Sequence, residues 1–173
     1  MKMKRKLFAA TGLIALFTAS AMGQVSTPVG LSLRAGIFLP TASDARDSGT
    51  TWFAAGGEYK LSNSNVPSAG TNTVTNLALS VDYMGKSNFS AIPVLLNWEG
   101  TNNQTFYSIG VGASFDRWDN GTGGTASSTR LAGQIGLGYN FMQGRSPLFI
   151  EGKYWINQKS DLNGIGLYVG IHL

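Results

Sequence analysis

Apolar and polar residues alternate with period two along most of this chain, which is the pattern of strands with one apolar face. Eight such segments stand between breaks rich in Gly, Asn and Ser. Residues 29–38 carry Leu31, Leu33, Ala35 and Ile37 on one face, and residues 51–61 carry Phe53, Ala55, Gly57, Tyr59 and Leu61. Residues 74–83 present Leu77, Leu79, Val81 and Tyr83, and residues 90–98 present Ile92, Val94, Leu96 and Trp98. Residues 105–115 offer Tyr107, Ile109, Val111, Ala113 and Phe115, and residues 129–141 offer Leu131, Ile135, Leu137, Tyr139 and Phe141. Residues 148–156 hold Ile150, Tyr154 and Ile156, and residues 163–173 hold Ile165, Leu167, Val169, Ile171 and Leu173. The opposite faces are polar, small or charged, with Ser32, Arg34, Glu58, Asp82, Gln134, Lys153 and many glycines. No segment keeps a helical period.

Such alternation fits a soluble barrel with its apolar face inward, or a membrane barrel with that face on lipid. Two features favour the membrane form. The polar faces are rich in glycine, which suits a crowded small-barrel interior better than a wet surface. Apolar-face aromatics also gather at strand ends. With both termini in the periplasm, Phe53, Tyr83, Phe115 and Tyr154 fall at one rim; Tyr59, Trp98, Tyr107, Tyr139 and Phe141 fall at the other. Paired aromatic girdles anchor a protein at both membrane interfaces. The predicted fold is all-β: an eight-stranded antiparallel transmembrane barrel in up-and-down order. Segments 40–50, 85–89, 116–128 and 157–162 are its predicted outer loops, and 62–73, 99–104 and 142–146 its periplasmic turns. Pro93 lies inside a predicted strand and has no N–H for the ladder, so a bulge or local gap is expected there.

The N-terminus sets the compartment. Lys2, Lys4, Arg5 and Lys6 precede an apolar run from Leu7 to Phe17, then small residues Ala19 to Gly23. This is the layout of a secretory signal peptide, and the run is too short to span a bilayer. The expected division is residues 1–23 as signal peptide and 24–173 as the outer-membrane barrel. The formal charge of +4 then changes meaning, because cleavage takes four of the 13 basic residues and leaves nine against nine acidic ones. No basic tract remains for nucleic acid. The 173 residues include no cysteine and one histidine, which removes thiol chemistry and multi-histidine metal sites.

Seven strand charges point to the expected interior: Arg34, Lys60, Arg130 and Lys153 against Glu58, Asp82 and Glu151. Unpaired charges there would be costly, so a network of ion pairs plugging the lumen is expected. The alternative is a small pore for ions or solutes, although eight strands leave little room for water. Catalysis needs a nucleophile, a base and an orienting group together. His172 is the only imidazole, no Gly-x-Ser-x-Gly elbow occurs, and Asp44, Asp47, Asp116, Asp119 and Asp161 fall on separate loops. The expectation is a non-enzymatic barrel with structural or interaction roles, no catalytic residues, no metal and no cofactor. Its loops would offer Asp116, Arg117, Trp118 and Asp119 for contact; the loop acids are expected to be solvated turn residues, with cation bridging to lipopolysaccharide phosphates at Asp44/Asp47 or Asp116/Asp119 as the alternative. Outer-membrane lipid and lipopolysaccharide are the expected partners of a monomer.

On these eight strands, the leader and the terminal stretch Gly166 to Leu173, the chain resembles the small outer-membrane barrels of the OmpX/OmpA-transmembrane-domain, porin-family class. The resemblance implies that the last strand is read by the barrel-assembly machinery, through the alternate positions Leu167, Val169, Ile171 and Leu173. That class usually ends in an aromatic residue, and this chain ends in leucine.

Overall fold

The computed structural model describes residues 30–64, 73–119, 124–141 and 147–173. The predicted signal peptide and the tips of three connections lie outside them. Eight antiparallel strands form one closed barrel in sequence order. They are β1 (Leu31–Pro40), β2 (Trp52–Ser64), β3 (Thr73–Lys86), β4 (Phe89–Asn102), β5 (Thr105–Asp119), β6 (Thr125–Asn140), β7 (Leu148–Asn157) and β8 (Gly164–His172). β1 closes onto β8, with Ser32 opposite His172 and Ala35 opposite Val169.

Most strands run longer than the alternation indicates, and the loops shrink to match. The segment 85–89 becomes a two-residue turn at Ser87–Asn88, with Ser87 in the left-handed region at φ 55°. Asn103 does the same, at φ 55°, between β4 and β5. Two far-end connections carry short helical turns: α1 (Ser43–Asp47) and a 3-10 turn at Ser160–Leu162. The β2–β3 register shifts between Lys60 and Ser62. Pairing of β3 with β4 passes from Val81 opposite Val94 to Met84 opposite Ala91, so it lapses beside Pro93. On its other side Pro93 stays in register with Ser114 of β5.

Every predicted girdle residue (Phe53, Tyr59, Tyr83, Trp98, Tyr107, Phe115, Tyr139, Phe141 and Tyr154) lies exposed on the outer surface, among aliphatics such as Leu131 and Val111. Phe53 and Tyr83 sit 6.5 Å apart toward the far end, Trp98 and Tyr107 5.8 Å apart toward the terminus end. Leu167 and Val169 are exposed on the same surface, and Ile171 and Leu173 are half-buried below them.

The interior differs from the uniformly polar lumen expected. Toward the far end, Phe38, Trp52, Met84, Phe89, Leu95 and Trp155 form an apolar cluster. Ala45 of α1 and Leu162 of the 3-10 turn are buried in it, so the two turns cap the barrel. At the terminus end Phe106 meets Phe149 edge-on, with centroids 5.5 Å apart. Polar side chains occupy the layer between these plugs.

Candidate functional site

The middle layer forms a closed ring of side chains around the barrel's cross-section. Asn97 of β4 donates to Glu58 of β2 at 3.0 Å and to Ser80 at 2.8 Å. Its amide oxygen accepts from Gln134 of β6 at 2.8 Å, and Gln134 accepts from Lys153 of β7 at 3.0 Å. Lys153 lies 3.4 Å from Glu151, Glu151 lies 3.5 Å from Arg34 of β1, and Arg34 lies 3.7 Å from Glu58. Arg34 also grips Asp82 of β3 through two hydrogen bonds, of 2.7 and 2.6 Å. The two carboxamides carry the ring across β4 to β6, which place no charged side chain in it.

Aromatic faces support the cations. The Arg34 guanidinium lies 5.8 Å from the Tyr168 ring and the Lys153 ammonium 5.4 Å from the Trp155 ring. A bare buried charge would cost several kcal/mol, and here each one meets an opposite charge, an amide or a ring face. Burial is close to complete: Asn97 is 0% exposed, Lys153 2% and Arg34 5%. A water-sized channel would leave these side chains accessible, so the ring is packed shut.

Two of the seven predicted network charges fall outside the ring. Arg130 lies nearer the far end, 5.0 Å from the Trp118 ring, and Lys159 lies 4.9 Å from the same ring. Lys60 stands at the terminus end, its Cβ beside Gly30. Glu99 was missed; it is buried with its carboxyl within hydrogen-bonding reach of Glu58. Asn97, Gln134 and Ser80 have the inward parity expected of their strands but were not among the predicted network residues, because uncharged side chains give no sequence signal of a shared ring.

The predicted loop acids separate. Asp116 is buried and inward, accepting from Ser114 and from Asn157. Asp161 pairs with Lys159 at 2.6 Å, and Asp44 and Asp47 are exposed on α1. The Asp119 side chain lies outside the described residues.

A second constellation occupies the terminus-end mouth. Ser32 Oγ lies 2.7 Å from His172 Nδ1, and Asn140 Oδ1 lies 3.0 Å from His172 Nε2. With the Asn140 oxygen accepting, Nε2 carries the ring proton and Nδ1 accepts from the serine hydroxyl. The His172 ring stacks on Phe149 at 4.5 Å. This arrangement places a hydroxyl, a base and an orienting amide in one line.

No family model matches this chain, and no curated protein matches it. One similar solved structure is titled "Crystal structure of the outer membrane enzyme PagL"; it is 12% identical, with a TM-score of 0.47, over 82% of this chain and 97% of that one. The expectation of a non-enzymatic barrel is corrected here, because the hydroxyl, imidazole and amide that the sequence did not bring together stand side by side as Ser32, His172 and Asn140.

Proposed function

We propose that this chain is an integral outer-membrane barrel of the small OmpX/OmpA-transmembrane-domain class. Its termini face the periplasm, and it works at its lipid-facing surface and its two mouths rather than as a conduit. One observation carries the reading: the polarity of the barrel is inverted. Leu131 and Val111 are 73% and 69% exposed, and the charged ring is buried. Soluble monomers rarely expose contiguous apolar patches beyond a few hundred Å², and this apolar belt continues around all eight strands. Lipid is the solvent in which such a surface is stable, and a closed barrel presents no free sheet edge to it. Heat-modifiable migration tests the reading. Unboiled protein from the outer-membrane fraction should run at a different apparent size from boiled protein. Mature chain in the soluble periplasmic fraction, with one mobility, would overturn it.

A second reading rests on the terminus-end mouth: hydrolysis of an ester by Ser32. The serine oxygen would attack the carbonyl carbon while His172 Nδ1 takes its proton, and Asn140 would hold the ring in that tautomer. His172 would then give the proton to the departing alcohol, and water would release the acid by the reverse transfer. Fluorophosphonate treatment of the refolded barrel separates the outcomes. An adduct on Ser32, lost in His172→Ala, supports hydrolysis, and an unlabelled Ser32 in a folded barrel removes it.

A further inference from the structure

Gly152 interrupts the apolar outer face of β7. Alternation turns it outward, directly opposite Leu137 of β6 and Leu167 of β8. A Cβ placed there would touch only Leu167 Cδ2, at 3.8 Å, which is ordinary contact. The backbone therefore has no steric need for glycine at this point. Inward glycines are the reverse: a Cβ on Gly36 would lie 1.9 Å from the Leu167 carbonyl oxygen.

Gly152 lines an outer-surface groove of about 650 Å³. One of its two lining rows is a line of directly opposed residues, Thr105, Tyr139, Ile150, Val169 and Ala35, which crosses five strands. Four interstrand steps of about 4.8 Å make its length about 19 Å. Half of a roughly 30 Å hydrocarbon core is about 15 Å. Strands in such barrels tilt by about 35–45°, so the row climbs along the barrel as it crosses. Its low end is polar, where Tyr139 donates its hydroxyl hydrogen to Gln104 at 2.6 Å. Its upper end, at Ala35 and Val169, is apolar.

We propose that this groove holds one acyl chain of a periplasmic-leaflet phospholipid, with the lipid's ester region at Tyr139 and Gln104. The proposal rests on the membrane reading above and adds a specific lipid site to it. Continuity with the lipid-facing belt makes a lipid chain the occupant. The groove runs across five strands and suits a flexible thread, whereas a second barrel would meet this face as a convex cylinder.

The test uses the refolded full-length mature barrel in bilayers containing a phosphatidylethanolamine with a mid-chain diazirine. After irradiation, labelled positions are mapped by mass spectrometry. Label is expected to be several-fold denser on β7, β8 and β1 around Gly152 than on β3 and β4 around Leu79 and Leu96. Gly152→Leu should bring it down to the level of that opposite face, with heat-modifiable migration unchanged. Gly152→Ala adds one carbon at ordinary contact distance from Leu167, controls for folding and should lower the label in part. Even labelling around a folded barrel, or undiminished label in Gly152→Leu, would overturn the site. Crosslinks between two barrels at Ile150 and Leu167 would overturn it in favour of a second copy. A chain that stays out of the bilayer and takes no label on any face would instead sink the membrane reading.

Discussion

Arg34 and Asp82 meet side-on across the barrel interior, joined by hydrogen bonds from Nε and Nη2 to the two carboxylate oxygens. Their strands, β1 and β3, are not neighbours in the sheet, because β2 lies between them. The pair therefore acts as a strut across the curve of the wall. Removing one partner of a buried pair typically costs about 3–5 kcal/mol. Asp82→Ala should fall near the lower figure, since Glu58 and Glu151 still flank Arg34 at 3.7 and 3.5 Å. Arg34→Ala leaves three carboxylates together and should cost more. Urea unfolding in detergent micelles measures both; equal and small losses would remove the strut.

Inward and outward glycines should respond differently to one added carbon. A Cβ on Gly112 would lie 2.1 Å from the Val94 carbonyl oxygen, and backbone cannot step aside cheaply. Overpacking of this kind costs about 1–3 kcal/mol. Gly112→Ala should lower the barrel's melting temperature, and Gly152→Ala should leave it unchanged or raise it. Heat-modifiability measured against temperature distinguishes the two.

A cation on the outer belt should be penalised by depth. Leu131 is near the middle of β6, and Thr125 begins that strand at the far end. Leu131→Arg should cost about 2–4 kcal/mol and Thr125→Arg about 0–1 kcal/mol, as for midplane and interfacial positions of membrane barrels. Equal small effects in lipid vesicles would mean that the belt meets water.

The packed ring makes an electrical prediction. Refolded wild-type protein in planar bilayers should give no stable conductance steps. Lys153→Ala removes the donor to Gln134 and the neighbour of Glu151. Flickering conductance in that variant alone would place the seal at the ring, and stable steps in the wild type would show that the ring opens.

Period-two alternation exposed the barrel because lipid-facing strands keep their aliphatics on one side without interruption. Leu77, Leu79, Val81 and Tyr83 read the same in the sequence as on the surface. The interior was harder to read. Phe38, Trp52, Phe89, Phe106, Phe149 and Trp155 stand on nominally polar faces, where isolated aromatics resemble noise, yet they meet as two plugs. Ring partners depend on which strand rises past which, a property of closure that no local window contains. Ser32 and His172 show this most plainly: 140 positions separate them, and only the β1–β8 seam brings them within 2.7 Å. Arg130 and Lys60 have the inward parity expected of them, but stand too far along their strands to reach the ring.

Pro93 has a mechanical consequence. Where its missing N–H lets β3 part from β4, the β3 residues left without a partner on that side are Asp82 and Tyr83, and Asp82 is the one that Arg34 holds. The wall is thus tied from within where its own stitching is open. A cylinder built this way should breathe first at that seam once the tie is cut, with amide exchange beginning at Tyr83 and Ile92 and spreading outward from there.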